Sequence, residues 1–307
     1  MCKRVAFAAR SHVGNVRRNN EDNLYCEGVT LAPENREAPF EVSGFAAPPC
    51  IFAVCDGMGG EEDGEYASLA AVTALSEFAG EIKSAHSAEK MNAAVQEFVA
   101  CANKALCDKM LERRVRMGTT LALAVIAGGA VHPYNMGDSR IYALLDGKLR
   151  QVSEEHTLAA QKAKMGLLAE EEARTSRDRH KLTLHFGIFE DELSVSAAAP
   201  PPFPAGTGCR LLLCSDGLTD MLDDARIEEI MAGEQSASDA VGKLVGEALE
   251  NGGRDNVTCI VVDVPPQQAI EIEMTDVSAA PPEKKAFWGR ISGFFFKTKI
   301  CKRCQKK

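Results

Sequence analysis

The sequence predicts an α/β protein of the α+β kind, in which antiparallel sheets are covered by helices. Three observations carry this. Short β-branched or apolar runs of strand length recur along the chain. Helical stretches come in pairs between groups of strands, whereas a doubly wound parallel sheet alternates strand and helix one by one. The run "RIYALLDGKLRQVS" holds an Asp-Gly pair between apolar flanks, the signal of a two-residue hairpin.

Taken in order, the strands read as "NLYCEGV", "CIFAVCD", "TTLALAVIAG", "AVHPYNMG", "RIYALLDGKLRQVS", "LSVSAAA", "CRLLLCSD" and "NVTCIVVDV". "AVHPYNMG" and the run after it are expected to lie antiparallel. Helical spacing covers Glu65 to Ile82, Ala88 to Arg113, Leu158 to Leu168, Ala225 to Met231 and Ala237 to Glu250. In the first, Ala67, Ala71, Leu75 and Ala79 belong to a stripe rich in small apolar residues, which lets the helix lie close on a sheet. From His156 to Asp191 the chain is helical at first, then charged and irregular ("EEEARTSRDRHK"), and reads as an insertion over the surface. After Val264, "PPQQAIEIEMTDVSAAPPEKK" has paired prolines at both ends and reads as a linker. One domain is thus expected over residues 1–264, with an insertion at about 157–191, a linker over 265–283 and a tail over 284–307. No internal repeat is visible.

The chain has 307 residues, of which 45% are hydrophobic and 26% charged, enough for a large core. Its net charge of −9 speaks against a nucleic-acid partner, which would call for a basic face. The cysteines number 11 and lack the spacing of a disulfide framework; Cys50, Cys55, Cys209, Cys214 and Cys259 sit inside apolar runs. That usage suits buried thiols in a reducing compartment. The apolar stretch in "MCKRVAFAAR" is short for a signal peptide, and no run reaches bilayer-spanning length. The expected location is cytoplasmic.

The functional signal lies in acids at strand ends. Asp56 closes "CIFAVCD" and is followed by Gly57, Gly59 and Gly60; Asp216 and Gly217 close "CRLLLCSDG", with Asp220 just beyond. Asp255 and Asn256 precede "VTCIVVDV", Asp138 separates two strands in "NMGDSR", and Glu21 and Asp22 precede "NLY". Each alone reads most simply as a turn former, helix cap or solvated charge. Gathered at one sheet edge, they would repel unless cations neutralised them. An oxygen-only ligand set without His or Cys favours Mg2+ or Mn2+ over zinc. Two such ions about 4 Å apart, sharing a carboxylate, would seat a bridging hydroxide. Asp56 is the natural bridge, and Gly57 can expose its carbonyl. Arg17, four residues before Glu21, places a guanidinium beside the cluster, suited to bidentate capture of phosphate. The residues themselves therefore point to metal-assisted hydrolysis, with a phosphate ester as the preferred substrate.

The ordered set "SHVGNVRRNNEDN", "AVCDGMGG", "MGTTLALAVI", "NMGDSRIYAL", "EEHT", "LLLCSDGLTD" and "GGRDNVT" resembles the metal-dependent serine/threonine protein phosphatases of the PPM or type 2C family, in its bacterial branch. The resemblance spans about residues 5 to 264. It implies a four-layer α-β-β-α sandwich of two antiparallel sheets flanked by helices. It implies two Mn2+ or Mg2+ ions bridged by Asp56, with the Gly57 carbonyl on the second and Asp216 and Asp255 completing the first. Glu21 and Asp22 would act mainly through metal-bound waters, Arg17 would hold the phosphoryl group, and Asn256 would support the ligands. Asp138, with Asp216 and Asp220, matches a third, weaker metal position. Direct attack of metal-bound water on phosphoserine or phosphothreonine is implied, with no phosphoenzyme. The implied partners are phosphoprotein substrates and an opposing bacterial Ser/Thr kinase; a monomer is expected, though the sequence does not fix the oligomeric state. No cysteine lies in a phosphate-cradling loop that ends in arginine, so a thiol mechanism is not supported.

Two departures stand out. Met58 occupies a place where some relatives carry a histidine as candidate general acid, so the leaving oxygen must take its proton from a metal-bound water or another group. "LTLHFG", where the family's flap has "LTRALG", puts the substrate contacts made there in doubt. His156, in "EEHT", reads equally well as a buried structural histidine. The tail "FWGRISGFFFKTKICKRCQKK" mixes five aromatics with Lys and Arg. It fits a disordered basic tail or a segment packed on the acidic domain, and also peripheral contact with the inner membrane face. Cys301 and Cys304 are half a zinc site at most.

Overall fold

The computed structural model describes residues 4–33, 38–59, 63–206 and 208–266. The chain opens with strands β1 (Val5–His12), β2 (Asn23–Cys26), β3 (Val29–Thr30), β4 (Phe40–Ala46), β5 (Cys50–Cys55) and β6 (Gly57–Met58). Helices α1 (Asp63–Ser84) and α2 (Ala88–Arg113) follow. Next come β7 (Gly118–Thr119), β8 (Leu121–Ala127), β9 (Ala130–Met136), β10 (Arg140–Leu145) and β11 (Lys148–Gln151), then the short helices α3 (Leu158–Lys164) and α4 (Glu170–Thr175). The last third holds β12 (Phe203–Pro204), β13 (Cys209–Cys214), α5 (Asp216–Thr219), α6 (Asp224–Gly233), α7 (Ala237–Glu250) and β14 (Val257–Val264).

One six-stranded sheet runs β11-β10-β13-β14-β1-β4 and the other β12-β9-β8-β5-β2-β3. Their ladders are antiparallel throughout the described residues. The central strands are apolar on both faces because each face meets a different layer. In β5, Cys50, Phe52 and Val54 face the sheet that holds β1, β13 and β14, while Ile51, Ala53 and Cys55 lie under α1 and α2. In β13, Leu211 and Leu213 pack between the sheets, and Leu212 and Cys214 pack under α6 and α7. The result is the four-layer α-β-β-α sandwich expected, with three apolar interfaces. Ala67, Ala71, Leu75 and Ala79 of α1 all lie in the core, as the small-residue stripe requires. Cys50, Cys55, Cys209, Cys214 and Cys259 are buried and free.

Three expectations are corrected. "AVHPYNMG" and "RIYALL" do not pair: β9 and β10 lie in different sheets, and the chain crosses between them at Gly137, whose φ is +95°. β10 pairs instead with β11, through Asp146 (φ 50°) and Gly147 (φ 74°), the hairpin turn signalled by the sequence. "LSVSAAA" forms no strand and touches a ladder only at the Asn135–Ala198 bridge; the three prolines that follow it lack the donors a ladder needs. The helix starting at Leu158 ends at Lys164, because Gly166 adopts φ +71° just beyond it. Strands β1 and β4 have no counterpart in the sequence reading. Linker and tail lie outside the described residues apart from Pro265 and Pro266. Among the described residues no helix is long and apolar enough to cross a membrane.

Candidate active site

The strands deliver the acids to one edge. Asp56 follows the last residue of β5, and its backbone is clamped to the end of β7 and to the residue between β7 and β8. Its N–H donates to Thr120 Oγ1 (2.9 Å), and its carbonyl accepts from Thr119 Oγ1 (2.8 Å) and from the Thr120 N–H (2.9 Å). Gly57 must be glycine for reasons of space: a Cβ there would lie 2.1 Å from the Gly64 carbonyl oxygen and 2.6 Å from that of Glu21. Its N–H donates to the Glu21 carbonyl (3.2 Å), tying the β5 end to the β1–β2 loop. The second Asp-Gly pair obeys the same rule, because a Cβ on Gly217 would lie 1.9 Å from the Asn256 carbonyl oxygen.

Asn256 staples the loop that carries Arg17 and Glu21. Its side-chain amide donates to the carbonyls of Val13 and Asn19 (both 2.9 Å), and its Oδ1 accepts the Glu21 N–H (2.8 Å). Arg17 Nη2 donates to Asp255 Oδ2 at 2.7 Å while half of the guanidinium side chain stays open to solvent.

Glu21, Asp56, Asp138, Asp216, Asp220 and Asp255 line a single cavity of about 410 Å3, together with Arg17, Gly57 and Asn256. Every site residue named from the sequence is on its wall except Asp22. That residue is buried behind it, with Oδ2 accepting from Ser215 Oγ (2.8 Å) and Oδ1 sealed without a hydrogen-bond partner. Crowding shows in the carboxyl groups. Burial, then Asp22 and Asp216, push Asp56 well above the usual carboxylate range. Burial and then Asp216 raise Asp138 to about 8, and burial raises Asp22 to about 7. Asp220 is also raised, by burial and Asp216. Six carboxylates against one arginine, all oxygen donors, with a sealed unpartnered oxygen behind them, form a set that fits hard divalent cations.

Two wall residues escaped the sequence reading. Thr120 holds Asp56 in place, as above. His180 comes from the charged insertion, and its Nδ1 lies 3.3 Å from Asp216 Oδ2 and its Nε2 3.5 Å from Asp220 Oδ2. Asp138, His180 and Asp216 each offer one ligand atom within 4.8 Å of the others. A histidine among "SRDRHK" gives no local sign of this; only the fold closes the distance. Beyond it, Leu182 reaches the cavity wall, while Phe186 exchanges backbone hydrogen bonds with Thr119 and is buried. His185 packs beside Gly118 and bonds the Phe186 carbonyl rather than the site. His156 lies off the cavity, within 3.5 Å of the Asn135 amide, and burial lowers its pKa: the structural reading holds.

This arrangement of strand-end carboxylates around one cleft has known counterparts. Residues 40–250 match the family model of protein phosphatase 2C. The chain belongs to the protein phosphatase 2C family. A serine/threonine phosphatase (stp) of Listeria monocytogenes is 32% identical over 256 residues, covering 83% of this chain and 94% of that one. The serine/threonine protein phosphatase PstP of Mycobacterium tuberculosis is 33% identical over 262 residues, 85% of this chain and 45% of that longer protein. The crystal structure of M. tuberculosis PstP superposes with a TM-score of 0.69 at 31% identity, covering 86% of this chain and all of that one. A structure of the catalytic domain of PstP, in complex with two manganese ions, gives 0.68 at 30% identity over the same shares. This phosphatase therefore bears out the bacterial-branch recognition, the sandwich fold and the enzyme class that the ordered motifs implied.

Proposed function

We propose that the cavity hydrolyses phosphoserine and phosphothreonine in protein substrates, using two divalent cations, Mn2+ or Mg2+, and opposes a serine/threonine kinase. The observation that supports this best is the convergence of six carboxylates, from separate strand ends and one loop, on a cleft with Arg17 at its rim. Asp56, the Gly57 carbonyl, Asp216 and Asp255 would hold the ions, with Glu21 and Asp22 behind them and a third position at Asp138. Such ions supply Lewis-acid charge beside phosphorus and activate water. The chain's own part is to fix the donors and the phosphate. The Thr119 and Thr120 clamp prevents Asp56 from relaxing away from its neighbours. Asn256 holds the Arg17 loop against Asp255, so that the guanidinium can form two parallel hydrogen bonds to a phosphoryl group. No cysteine is among the residues lining the cavity, and burial drives the Cys55 thiol far up, which favours attack by water over a covalent phosphoenzyme. Cytoplasmic placement and tail contact with the inner membrane face complete the proposal, on the composition of residues 284–307.

The test is release of phosphate from a phosphoserine peptide and from p-nitrophenyl phosphate, with Mn2+ and with chelator. Mn2+-dependent turnover that favours the peptide is expected. Equal turnover of both compounds would point to a small-ester hydrolase, and metal binding without turnover to a regulatory module.

A further inference from the structure

The insertion does more than cover the surface: it puts an imidazole where the third cation position was expected to have oxygen donors alone. We propose that His180 is a protein ligand of the cation held by Asp138 and Asp216, and that Asp220 orients its ring instead of binding the ion. The proposal rests on the metal-dependent reading of the site.

Position comes first. His180 is fixed by its neighbours and not by a free loop. The Asp178 and Lys181 carbonyls on either side accept backbone N–H bonds from Ala159 and Leu158, in the first turn of α3 (3.3 and 2.8 Å). Lys181 and Lys162 both pair with Asp178, and the Thr183 N–H donates to the His156 carbonyl at 2.8 Å. The segment so held places the ring on the wall of the catalytic cavity, where it is the one histidine among the lining residues.

The donors are disposed for ligation. Asp138 comes from the crossing between the sheets, Asp216 from the end of β13 and His180 from the insertion, and their ligand atoms lie within 4.8 Å of one another. Asp220 is outside that trio, with its Oδ2 3.5 Å from the far ring nitrogen, Nε2. Ligation through Nδ1 leaves the ring proton on Nε2, facing Asp220. That is the carboxylate–histidine–metal arrangement by which proteins fix the tautomer and angle of an imidazole ligand. Arg179 Nε now donates to Nε2 at 2.8 Å; on ligation it gives up that bond and keeps its pair with Asp220 Oδ2, 3.3 Å away. The ion would then tie the insertion to the catalytic edge, and its occupancy would set the position of the cavity wall that Leu182 shares.

Three measurements on the full chain test this. Equilibrium dialysis counts Mn2+, pulsed electron paramagnetic resonance detects a nitrogen bound directly to Mn2+, and trypsin probes Arg174, Arg177, Arg179 and Lys181 with and without Mn2+. Wild-type protein is expected to show an imidazole nitrogen on Mn2+ and slower cleavage when Mn2+ is present. In His180→Ala and His180→Gln the nitrogen signal disappears, the weakest Mn2+ binds about tenfold or more less tightly, and protection from trypsin is lost. The signal also disappears in Asp138→Asn, which keeps the histidine. Mn2+ bound to wild-type protein with no nitrogen coupling, or coupling that survives in His180→Gln, would overturn this proposal and leave the parent reading intact. Failure of the protein to bind any Mn2+ would overturn both. Thermal melts of each variant separate loss of a ligand from loss of fold.

Discussion

Replacing Asn256 with alanine should cost stability and phosphate affinity together. The side chain is 4% exposed and makes three hydrogen bonds, two donated to Val13 and Asn19 carbonyls and one accepted from the Glu21 N–H. At about 1 kcal/mol net for each such bond, the loss is about 3 kcal/mol. For a domain of this size each kcal/mol moves the melting point by roughly 2–4 °C, so a fall of roughly 6–12 °C is expected. The freed segment carries Arg17 and Glu21, so KM for a phosphopeptide should rise more than kcat falls. Calorimetric melts and steady-state kinetics on wild type, Asn256→Ala and Asn256→Asp read both effects. The aspartate keeps the acceptor for Glu21 but turns a carboxylate toward two carbonyls, and should be at least as damaging. A shift in melting point below about 2 °C, with unchanged KM, would refute the stapling role.

Further outcomes follow from the same geometry. Gly57→Ala forces a methyl group into the Gly64 and Glu21 carbonyls, 2.1 and 2.6 Å from the Cβ position, and should abolish turnover while the far-UV circular dichroism stays folded. In metal-free protein, Asp22 and Asp138 titrate near 7 and 8 when folded but near the ordinary carboxylate value when unfolded, so the folded state holds the extra protons. The melting point should then fall as pH rises from the ordinary carboxylate range to about 8 and level off above it, and Mn2+ in excess should flatten that fall; a metal-free melting point that rises over this range would contradict the burial argument. Mn2+ at about a hundred times its dissociation constant should add about 2.7 kcal/mol, read as a thermal shift that chelator reverses. Deleting residues 284–307 should release the chain from anionic vesicles in a sedimentation assay without changing turnover of a soluble phosphopeptide; sedimentation that the deletion leaves unchanged would rule out the tail as anchor.

What the sequence made legible followed periodicity and punctuation. Helix α2 and helix α7 begin and end where the pattern put them, because Ser87 and Ser236 cap their starts and their apolar faces repeat without interruption. The central strands β5, β13 and β14 were visible because burial on both faces makes them continuous apolar runs. Strand β1 was not, since "VAFAARSH" is rich in alanine, with arginine and serine interleaved, and owes its place to pairing with β14 and β4 on either side. The pairing of β9 was misread because sequence neighbours usually pair, and nothing local in "MGDSR" says that the chain changes sheet there. The acids were legible as a class, since strand ends can share an edge. His180 was not, because it reaches Asp216 across 36 residues of chain through an insertion whose path follows no spacing rule.

The central claim is that these distant carboxylates act as one cation site for phosphoester hydrolysis. Its most direct measurement is the Mn2+ count per chain by equilibrium dialysis, taken with phosphoserine-peptide turnover, in wild type, Asp56→Asn and Asp216→Asn. Tightly bound Mn2+ and turnover should both be present in wild type and fall together in each variant, with the fold retained. Turnover that persists in either variant, or in wild type stripped of every ion, would contradict the account.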